Sequence, residues 1–451
     1  MKKFLYSFLI LLSTTFTIKI LNFVRELELS YFFGTDSIVD EFLKMSILPN
    51  IILNSLAPAL GIYLMTIIVQ SNNKKINIDY MKIFSIFCFL VILFLLNFYF
   101  LIGSNYHLIF NSSILLFLYV IQVVLVYYHH AHNNFIVGAV TSNIQAIVIL
   151  LVILLTYLLE LPNIIFYSIT LGLLIQIVLL CISINKNSYF IQIAKVKDVN
   201  FYKNILSIFL GIGLIEILIS ISKIFIEIQM INGGLAIFNY AFKLANLPNS
   251  IIIFALVSVL FPKLAKISEK KILLDLNKSL TDIIIGFFSI ISLIVILFSE
   301  QIVTLIYGRG QFNQEDIYNV SVIFILLIIV MIFVSVITIQ YRVIYLNNNF
   351  KSIIINSIIQ ILLLLILLII NLVMFSDGIF IVTSLIIVTF TGMILNFKIL
   401  NYKNMKFVII CISSILIMYF NDNIYLGLLL IIILFIMTYR SGNQLLKESK
   451  R

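Results

Sequence analysis

The sequence predicts an all-α polytopic membrane protein with about 14 transmembrane helices. Of its 451 residues, 62% are apolar and only 11% are charged, which leaves too little polar surface to cover a soluble domain. The apolar residues form repeated runs of about 18 or more, long enough to cross a bilayer. The basic residues fall into alternate segments between these runs, as the positive-inside rule requires of a multi-pass protein.

Clusters of Asn, Gly, Asp and Lys separate the apolar runs. The opening MKKFLYSFLILLSTT is similar to a signal peptide, but the apolar pattern continues past Thr17, so we interpret it as an uncleaved first span. The predicted spans cover residues 4–33, 36–70, 80–102, 108–129, 134–158, 162–184, 204–230, 234–266, 273–298, 317–345, 352–374, 379–399, 405–420 and 424–440.

The distribution of Lys and Arg predicts the orientation. With a cytoplasmic N-terminus, the inner segments hold clusters of lysine, whereas the outer loops hold a single basic residue, Arg309. We therefore expect both termini to be cytoplasmic. The net charge of +10 then reflects loop topology and gives no reason to expect nucleic acid as a partner.

A short motif, K-x-x-x-L-P-N, occurs twice at identical spacing. It begins at Lys44 in span 2 and at Lys243 in span 8, and two spans six apart have the same orientation. This repeat predicts two parallel six-helix halves around a central cavity, an arrangement that transporters use. We place the halves at 1–185 and 186–400, followed by helices 13 and 14 and a basic cytoplasmic tail at 401–451.

Five basic residues lie well inside the predicted spans, where a charge costs roughly 2.5–3.5 kcal/mol on insertion scales. All five belong to the first two helices of the two halves, and the other ten spans carry none so deep. Such residues usually face a cavity or a partner. They are Lys19, Arg25, Lys44, Lys223 and Lys243.

Polar residues accompany these charges at steps of three and four, which keeps them on one helical face. Three polar faces on paired helices predict a water-accessible cavity. Span 1 carries Thr15, Lys19, Asn22, Glu26 and Ser30; span 7 carries Glu216, Ser220, Lys223 and Glu227; span 8 carries Asn239, Lys243, Asn246 and Ser250.

Two roles remain open for the charged residues, because some have an acidic neighbour along the same helix and would then form structural ion pairs. These pairs are Lys44 with Asp40, Lys223 with Glu227, and Arg25 with Glu28. Lys243 has no acidic residue within a dozen positions, and Lys19 has only Glu26, two turns away. These two lysines are the best candidates for binding an external anion, most plausibly a phosphate.

The prolines of spans 2 and 8 suggest bent helices, since proline removes a backbone hydrogen bond that neighbours or water must replace. Pro49 and Pro248 belong to the repeated motif, and Pro58 and Pro262 follow them. Bent helices around a cavity are suited to movement, although tilted static helices would show the same pattern.

No motif indicates an enzyme, a metal or a cofactor. His129, His130 and His132 lie together in a predicted cytoplasmic turn, but no acidic or cysteine ligand is near them in sequence. The three cysteines are far apart, which argues against a disulfide or a thiolate metal site. We therefore expect a transporter without a bound cofactor.

Three stretches resemble the MurJ/MviN lipid II flippases, relatives of the Wzx polysaccharide flippases and the MATE exporters. The first includes Phe23, Arg25, Glu26, Phe33-Gly34, Asp40, Phe42 and Leu48-Pro49-Asn50. The second includes Tyr240-Ala241, Leu244, Leu247-Pro248 and Pro262-Lys263-Leu264. The third is Arg309-Gly310-Gln311-Phe312 with Asp316.

The resemblance implies a flippase of the bacterial cytoplasmic membrane that exports an undecaprenyl-diphosphate-linked glycan by alternating access. It implies that Lys19, Arg25 and Lys243 contact the headgroup, and Lys223 lies where many relatives have arginine. We add Lys44, a deep basic residue of the repeated motif, to the same candidate substrate site. Asn22, Glu26, Glu216, Asn239 and Asn246 would line the cavity, and spans 13 and 14 would form a groove for the lipid tail. Membrane lipids are expected partners, and a coupling ion or the membrane potential is a further candidate.

The chain also departs from the family pattern, which leaves the substrate open. Leu53-Asn54 replaces the family's basic pair after L-P-N, and Phe242 replaces the aspartate of Y-A-D-R-L. Lysines at 19 and 243 keep the charge of two family arginines but lose their bidentate geometry. The alternatives are a Wzx-like flippase for capsule or O-antigen precursors, a MATE-like exporter, which would favour acidic cavity residues, and a polytopic glycan polymerase, which would need larger outer loops.

Overall fold

The computed structural model describes most of the chain as helix. The described residues are 2–56, 59–61, 75–78, 80–131, 134–184, 190–193, 201–229, 233–253, 256, 270–347, 349–375, 377–402, 404–419 and 424–448. Pro58, Pro262 and His132, which the sequence singled out, lie outside these ranges, as do Lys263 and Leu264.

The predicted all-α fold class is confirmed. The helices are α1 (Lys2–Phe33), α2 (Ser37–Ile51), α3 (Tyr80–Phe100), α4 (Tyr106–Ala131), α5 (Phe135–Leu158), α6 (Ser168–Ile182), α7 (Phe201–Gln229), α8 (Gly234–Pro248), α9 (Lys270–Tyr307), α10 (Gln314–Leu346), α11 (Phe350–Met374), α12 (Gly378–Ile399), α13 (Met405–Tyr419) and α14 (Ile424–Glu448). A 3₁₀ segment, Pro162–Tyr167, precedes α6.

Each predicted span overlaps one of these helices. Within the described ranges, eight helical segments are long and apolar enough to cross a membrane, and three more apolar helices are shorter. The number of spans therefore stays a prediction. Two ends were placed too early: the ninth span was expected to end at 298 and the fourteenth at 440, but α9 continues to Tyr307 and α14 to Glu448. Within α9 the backbone breaks at Phe298, where φ is −130° and ψ is 23°.

Polar caps explain where two of the helices begin. Asp36 accepts a hydrogen bond from the Ile38 amide at 3.3 Å and starts α2. At the start of α10, Asn313 and Asp316 each accept from the other's amide, at 2.9 and 3.0 Å, which forms a capping box. Each cap satisfies an amide that lacks a partner inside the helix and contributes about 1 kcal/mol.

Two short strands lie in segments that were predicted as plain cytoplasmic connections. β1 (Lys75–Ile78) pairs in parallel with β2 (Phe190–Ile193), with Lys75 opposite Phe190. The pairing joins the segment before α3 to the segment before α7. The sequence analysis did not predict it.

Contacts divide the chain into two compact units, residues 1–220 and 221–451. In the first unit, α1 packs on α5, α5 on α6, and α4 on both α2 and α6. Gly213 of α7 lies against the turn after α2, so closely that a Cβ there would be 2.2 Å from Cβ of Ser55. Small residues allow such close approach of helices in membranes.

In the second unit, α10 is the central helix and contacts α8, α9 and α12. Its residues are apolar on nearly every side, as expected of a helix that is surrounded by others. Helices α13 and α14 both pack against α9. The pair that lies outside the sequence repeat therefore packs on α9 of this unit, while many apolar side chains of α14 remain exposed.

The two copies of the repeated motif have the same local structure. Pro49 lies in the last turn of α2, and a π-helical turn, Ile52–Leu56, follows it. Pro248 ends α8, and a π-helical turn, Asn249–Ile253, follows in the same way. Since proline prevents the regular backbone hydrogen bond, both helices change their winding at the motif.

Candidate functional site

The polar face of α1 contains a buried ion pair. Arg25 Nη2 is 2.7 Å from Glu26 Oε1, and the side chains are 19% and 1% exposed. The sequence analysis offered Glu28 as the partner of Arg25, but the structure pairs Arg25 with the adjacent residue. Glu28 Oε2 and Arg25 Nε are buried without a hydrogen-bond partner within the described part of the chain.

Tyr119 of α4 lies near Arg25 of this pair and near Glu216 of α7. The side chain is 3% exposed and lies within electrostatic range of both Arg25 and Glu216. Three helices of the first unit thus bring a guanidinium, a phenol and a carboxylate together. The sequence analysis selected Arg25 and Glu216 but missed Tyr119, because a tyrosine in an apolar run carries no polar periodicity.

The other predicted residues of the first unit differ in exposure. Lys19 is half-buried and Asn22 is exposed, both on α1. Lys44 on α2 is half-buried, and its Nζ lies 5.5 Å from the centroid of the Phe100 ring at the end of α3. A cation over an aromatic face gains roughly 0.5–1 kcal/mol at exposed sites and more when desolvated.

In the second unit, Lys223 and Asn239 form a contact between α7 and α8. Lys223 Nζ donates to Asn239 Oδ1 at 3.0 Å, and Asn239 is only 1% exposed. The same Nζ lies 6.0 Å from the centroid of the Phe242 ring. Phe242 stacks on Phe238 one turn earlier, with ring centroids 6.3 Å apart, which fixes the aromatic surface beside the ammonium group.

The second copy of the motif is anchored to α10. Asn249 Nδ2 donates to Asn246 Oδ1 at 3.0 Å, and Ser335 Oγ of α10 donates to Asn249 Oδ1 at 3.0 Å. Lys243 is half-buried one turn before Asn246. Two residues that were predicted to line the cavity, Asn239 and Asn246, therefore hold a lysine and the end of α8.

The histidine cluster has structural contacts. His129 is 1% exposed, and its Nε2 lies 3.1 Å from both the Leu180 carbonyl and Ser183 Oγ, which links α4 to the end of α6. Among the described residues no group of three His, Cys, Asp or Glu side chains is placed to hold a metal.

Comparison with known proteins identifies the chain. The profile of the family described as lipid II flippase MurJ matches residues 37–446, which is most of the sequence. The chain belongs to the MurJ lipid II flippase family. No curated protein sequence matches it.

Solved structures agree with the fold of this family. A structure described as lipid II flippase MurJ in an inward closed conformation is 17% identical, covers 98% of this chain and 100% of its own, and has a TM-score of 0.71. An inward-facing multidrug-resistance MATE transporter of the MOP superfamily is 14% identical over 87% of this chain and 98% of its own, with a TM-score of 0.57.

Membership of the MurJ family defines the general activity. The chain is a multi-pass membrane protein and a flippase for lipid-linked glycans, not an enzyme. A lipid-linked substrate and membrane lipids are its partners.

Proposed function

We propose that this MurJ family member moves an undecaprenyl-diphosphate-linked peptidoglycan precursor, lipid II or a close relative, from the inner to the outer leaflet of the cytoplasmic membrane by alternating access. The observation that carries the proposal is the family match over residues 37–446 in a chain whose deep basic residues all belong to α1, α2, α7 and α8. Both termini are cytoplasmic in this proposal.

The five basic residues supply the chemistry that a diphosphate requires. A diphosphate carries its charge on several oxygens, and lysine and arginine donate charge-assisted hydrogen bonds to such oxygens. The proposed ligands are Lys19, Arg25, Lys44, Lys223 and Lys243, with Asn22, Glu26, Glu216, Asn239 and Asn246 as polar neighbours. Arg25 and Lys223 are held by Glu26 and Asn239, so they reach the substrate from fixed positions.

In this proposal, the conformational change of alternating access includes bending at the ends of α2 and α8. Pro49 and Pro248 each precede a π-helical turn, and π turns occur often at functional sites. A helix that changes its winding has fewer regular hydrogen bonds to break when it bends further.

A test replaces the native lipid II flippase of a bacterium by this chain and measures lipid II in the outer leaflet. We expect wild type to restore it and Lys243→Ala to reduce it at least tenfold, whereas Lys351→Ala, an exposed lysine at the start of α11, keeps wild-type activity. Failure of a correctly inserted wild type would reject lipid II and favour the Wzx-like alternative, a lipid-linked capsule or O-antigen precursor. Equal restoration by Lys243→Ala would reject the site assignment alone.

A further inference from the structure

A polar cavity lies in the second unit. The residues that line it belong to α9 and to the connection between α12 and α13, and none belongs to α7 or α8. It forms where the first turns of α9 meet the connection between α12 and α13, and its volume is about 270 Å³. An adjoining cavity of about 310 Å³ shares Leu274, Leu400 and Asn401 with it. The wall consists of Leu274, Asp275, Asn277, Lys278, Leu400, Asn401 and Tyr402.

Within the described part of the chain, two buried oxygen atoms of α9 near this cavity have no hydrogen-bond partner. Asn277, which lines the cavity, is 1% exposed and its Oδ1 is unsatisfied; Thr281, one turn further along α9, is also 1% exposed and its Oγ1 is unsatisfied. Buried polar atoms are usually paired in folded proteins, so two such oxygens one turn apart are available to accept a bound group.

A buried carboxylate lies beside them on α9. Asp282 is 2% exposed; one of its oxygens accepts from the hydroxyl of Tyr402, and the other accepts from Asn404 Nδ2 at 2.8 Å. Because both oxygens receive a donor, the ionised form of Asp282 is stabilised. Burial, with the nearby Asp282 charge, raises the pKa of Tyr402, which therefore keeps its proton as a donor.

The carboxyl ends of two helices, α10 and α12, lie at the two cavities and favour a positive charge there. Asn347 caps the carboxyl end of α10, and Leu400 caps that of α12; both residues line a cavity. The last carbonyl groups of a helix carry a partial negative charge. A helix turns by about 100° per residue, so Asn277, Thr281 and Asp282 lie within an arc of about 140° around the axis of α9.

We propose that a small monovalent cation binds beside this cavity, where Asn277 lines the wall, through the side-chain oxygens of Asn277, Thr281 and Asp282, with water from the cavity completing its coordination. Hard cations prefer carboxylate, amide and hydroxyl oxygens. Asp282 is the one carboxylate among the three ligands and balances one positive charge, while the exposed Asp275 and Lys278 of the cavity wall carry opposite charges. Sites for divalent ions usually contain more acidic ligands. The site does not depend on the proposed substrate of the flippase.

The test is the melting temperature of the full chain, purified in detergent, in NaCl, KCl or choline chloride at constant ionic strength. A ligand that binds only the folded state raises the melting temperature as its concentration increases. We expect a saturating rise with Na⁺ or K⁺ relative to choline. Equal melting temperatures in all three salts would mean that water alone fills the site, and a response to Mg²⁺ or Ca²⁺ alone would contradict a monovalent site.

Two matched variants locate the effect. Thr281→Val keeps the shape of a buried side chain but removes Oγ1, so we expect the midpoint of the cation titration to increase at least tenfold. Thr389→Val is the control: Thr389 is equally buried, on α12, but its Oγ1 is already satisfied by the Leu385 carbonyl at 2.7 Å. It should keep the wild-type midpoint, and an unchanged midpoint in Thr281→Val would overturn the proposal.

Discussion

Lys223 of α7 donates a hydrogen bond to Asn239 of α8 across 3.0 Å, and Phe242 lies beside the same ammonium group. Lysine has a long flexible stem, so an ammonium group in open water would sample many positions. The buried amide and the aromatic ring restrict it to one. A basic residue positioned in this way is prepared to meet an anion without first losing its conformational freedom.

The first prediction concerns this hydrogen bond. Asn239→Leu removes the acceptor and leaves Lys223 without that partner, so the free energy of unfolding should fall by about 1.5–3 kcal/mol, the contribution of hydrogen bonds to charged groups. Denaturant unfolding in detergent measures it. The double variant Lys223→Met with Asn239→Leu should lose less than the sum of the single variants; additive losses would show that the two residues are not coupled.

The second prediction concerns Arg25 and Glu26. Arg25→Met leaves the Glu26 carboxylate, 1% exposed, without its ion pair, whereas Arg25→Met with Glu26→Leu removes both charges. Breaking a buried pair from one side typically costs about 3–5 kcal/mol, and replacing both partners by apolar residues costs far less. We expect the single variant to unfold at lower temperature than the double variant. The reverse order would mean that solvent already screens the pair.

Sequence reasoning predicted the helices well because an apolar run of sufficient length bounded by lysine or asparagine has few other stable structures in a membrane. It failed where partners are distant in sequence. Asp282 lies inside the ninth predicted span, but its donors, Tyr402 and Asn404, are on the connection between α12 and α13. The periodicity of residues within α9 cannot predict a contact with a segment so distant in sequence.

The sequence predicted which residues belong to the candidate site, but it did not predict which of them contact each other. Steps of three and four selected Glu26, Lys223 and Asn239, and the depth of its charge inside span 1 selected Arg25; the structure places all four in polar contacts. The same steps suggested Glu28 for Arg25, since adjacent residues on a helix do not face each other. The long arginine side chain nevertheless reaches Glu26. The π-helical turns after Pro49 and Pro248 had no signal beyond the prolines themselves.

The third prediction concerns Gly213. Its α carbon faces the turn after α2, and an added Cβ would lie 2.2 Å from Ser55 Cβ and 2.9 Å from Ser55 Cα. Since backbone atoms cannot move aside cheaply, Gly213→Ala should reduce the free energy of unfolding by about 1–3 kcal/mol. Thermal unfolding tests this. Ser55→Gly should partly rescue the variant, and a Gly213→Ala protein as stable as wild type would show that α7 shifts freely.

The fourth prediction concerns the prolines. Pro49→Ala and Pro248→Ala restore an amide that can continue the α-helix, so they should favour a straighter helix where the π-helical turn now begins. If bending is part of transport, the rate of lipid II appearance in the outer leaflet should fall several-fold while the melting temperature stays equal or rises. Pro162→Ala, at the start of the 3₁₀ segment before α6, is the control and should leave the rate unchanged. Unchanged rates in all three variants would mean that the bends are static.

The last prediction concerns Phe242, which replaces the aspartate of related sequences. Phe242→Asp places a carboxylate beside Lys223, whose Nζ is now 6.0 Å from the ring centroid. The carboxylate would compete with an anionic substrate for the lysine, so inorganic diphosphate should inhibit transport at least several-fold less effectively than in wild type. Phe242→Leu removes only the cation–π contact, about 0.5–1 kcal/mol, and should stay close to wild type. Equal inhibition of Phe242→Asp and wild type would mean that Lys223 does not meet the diphosphate.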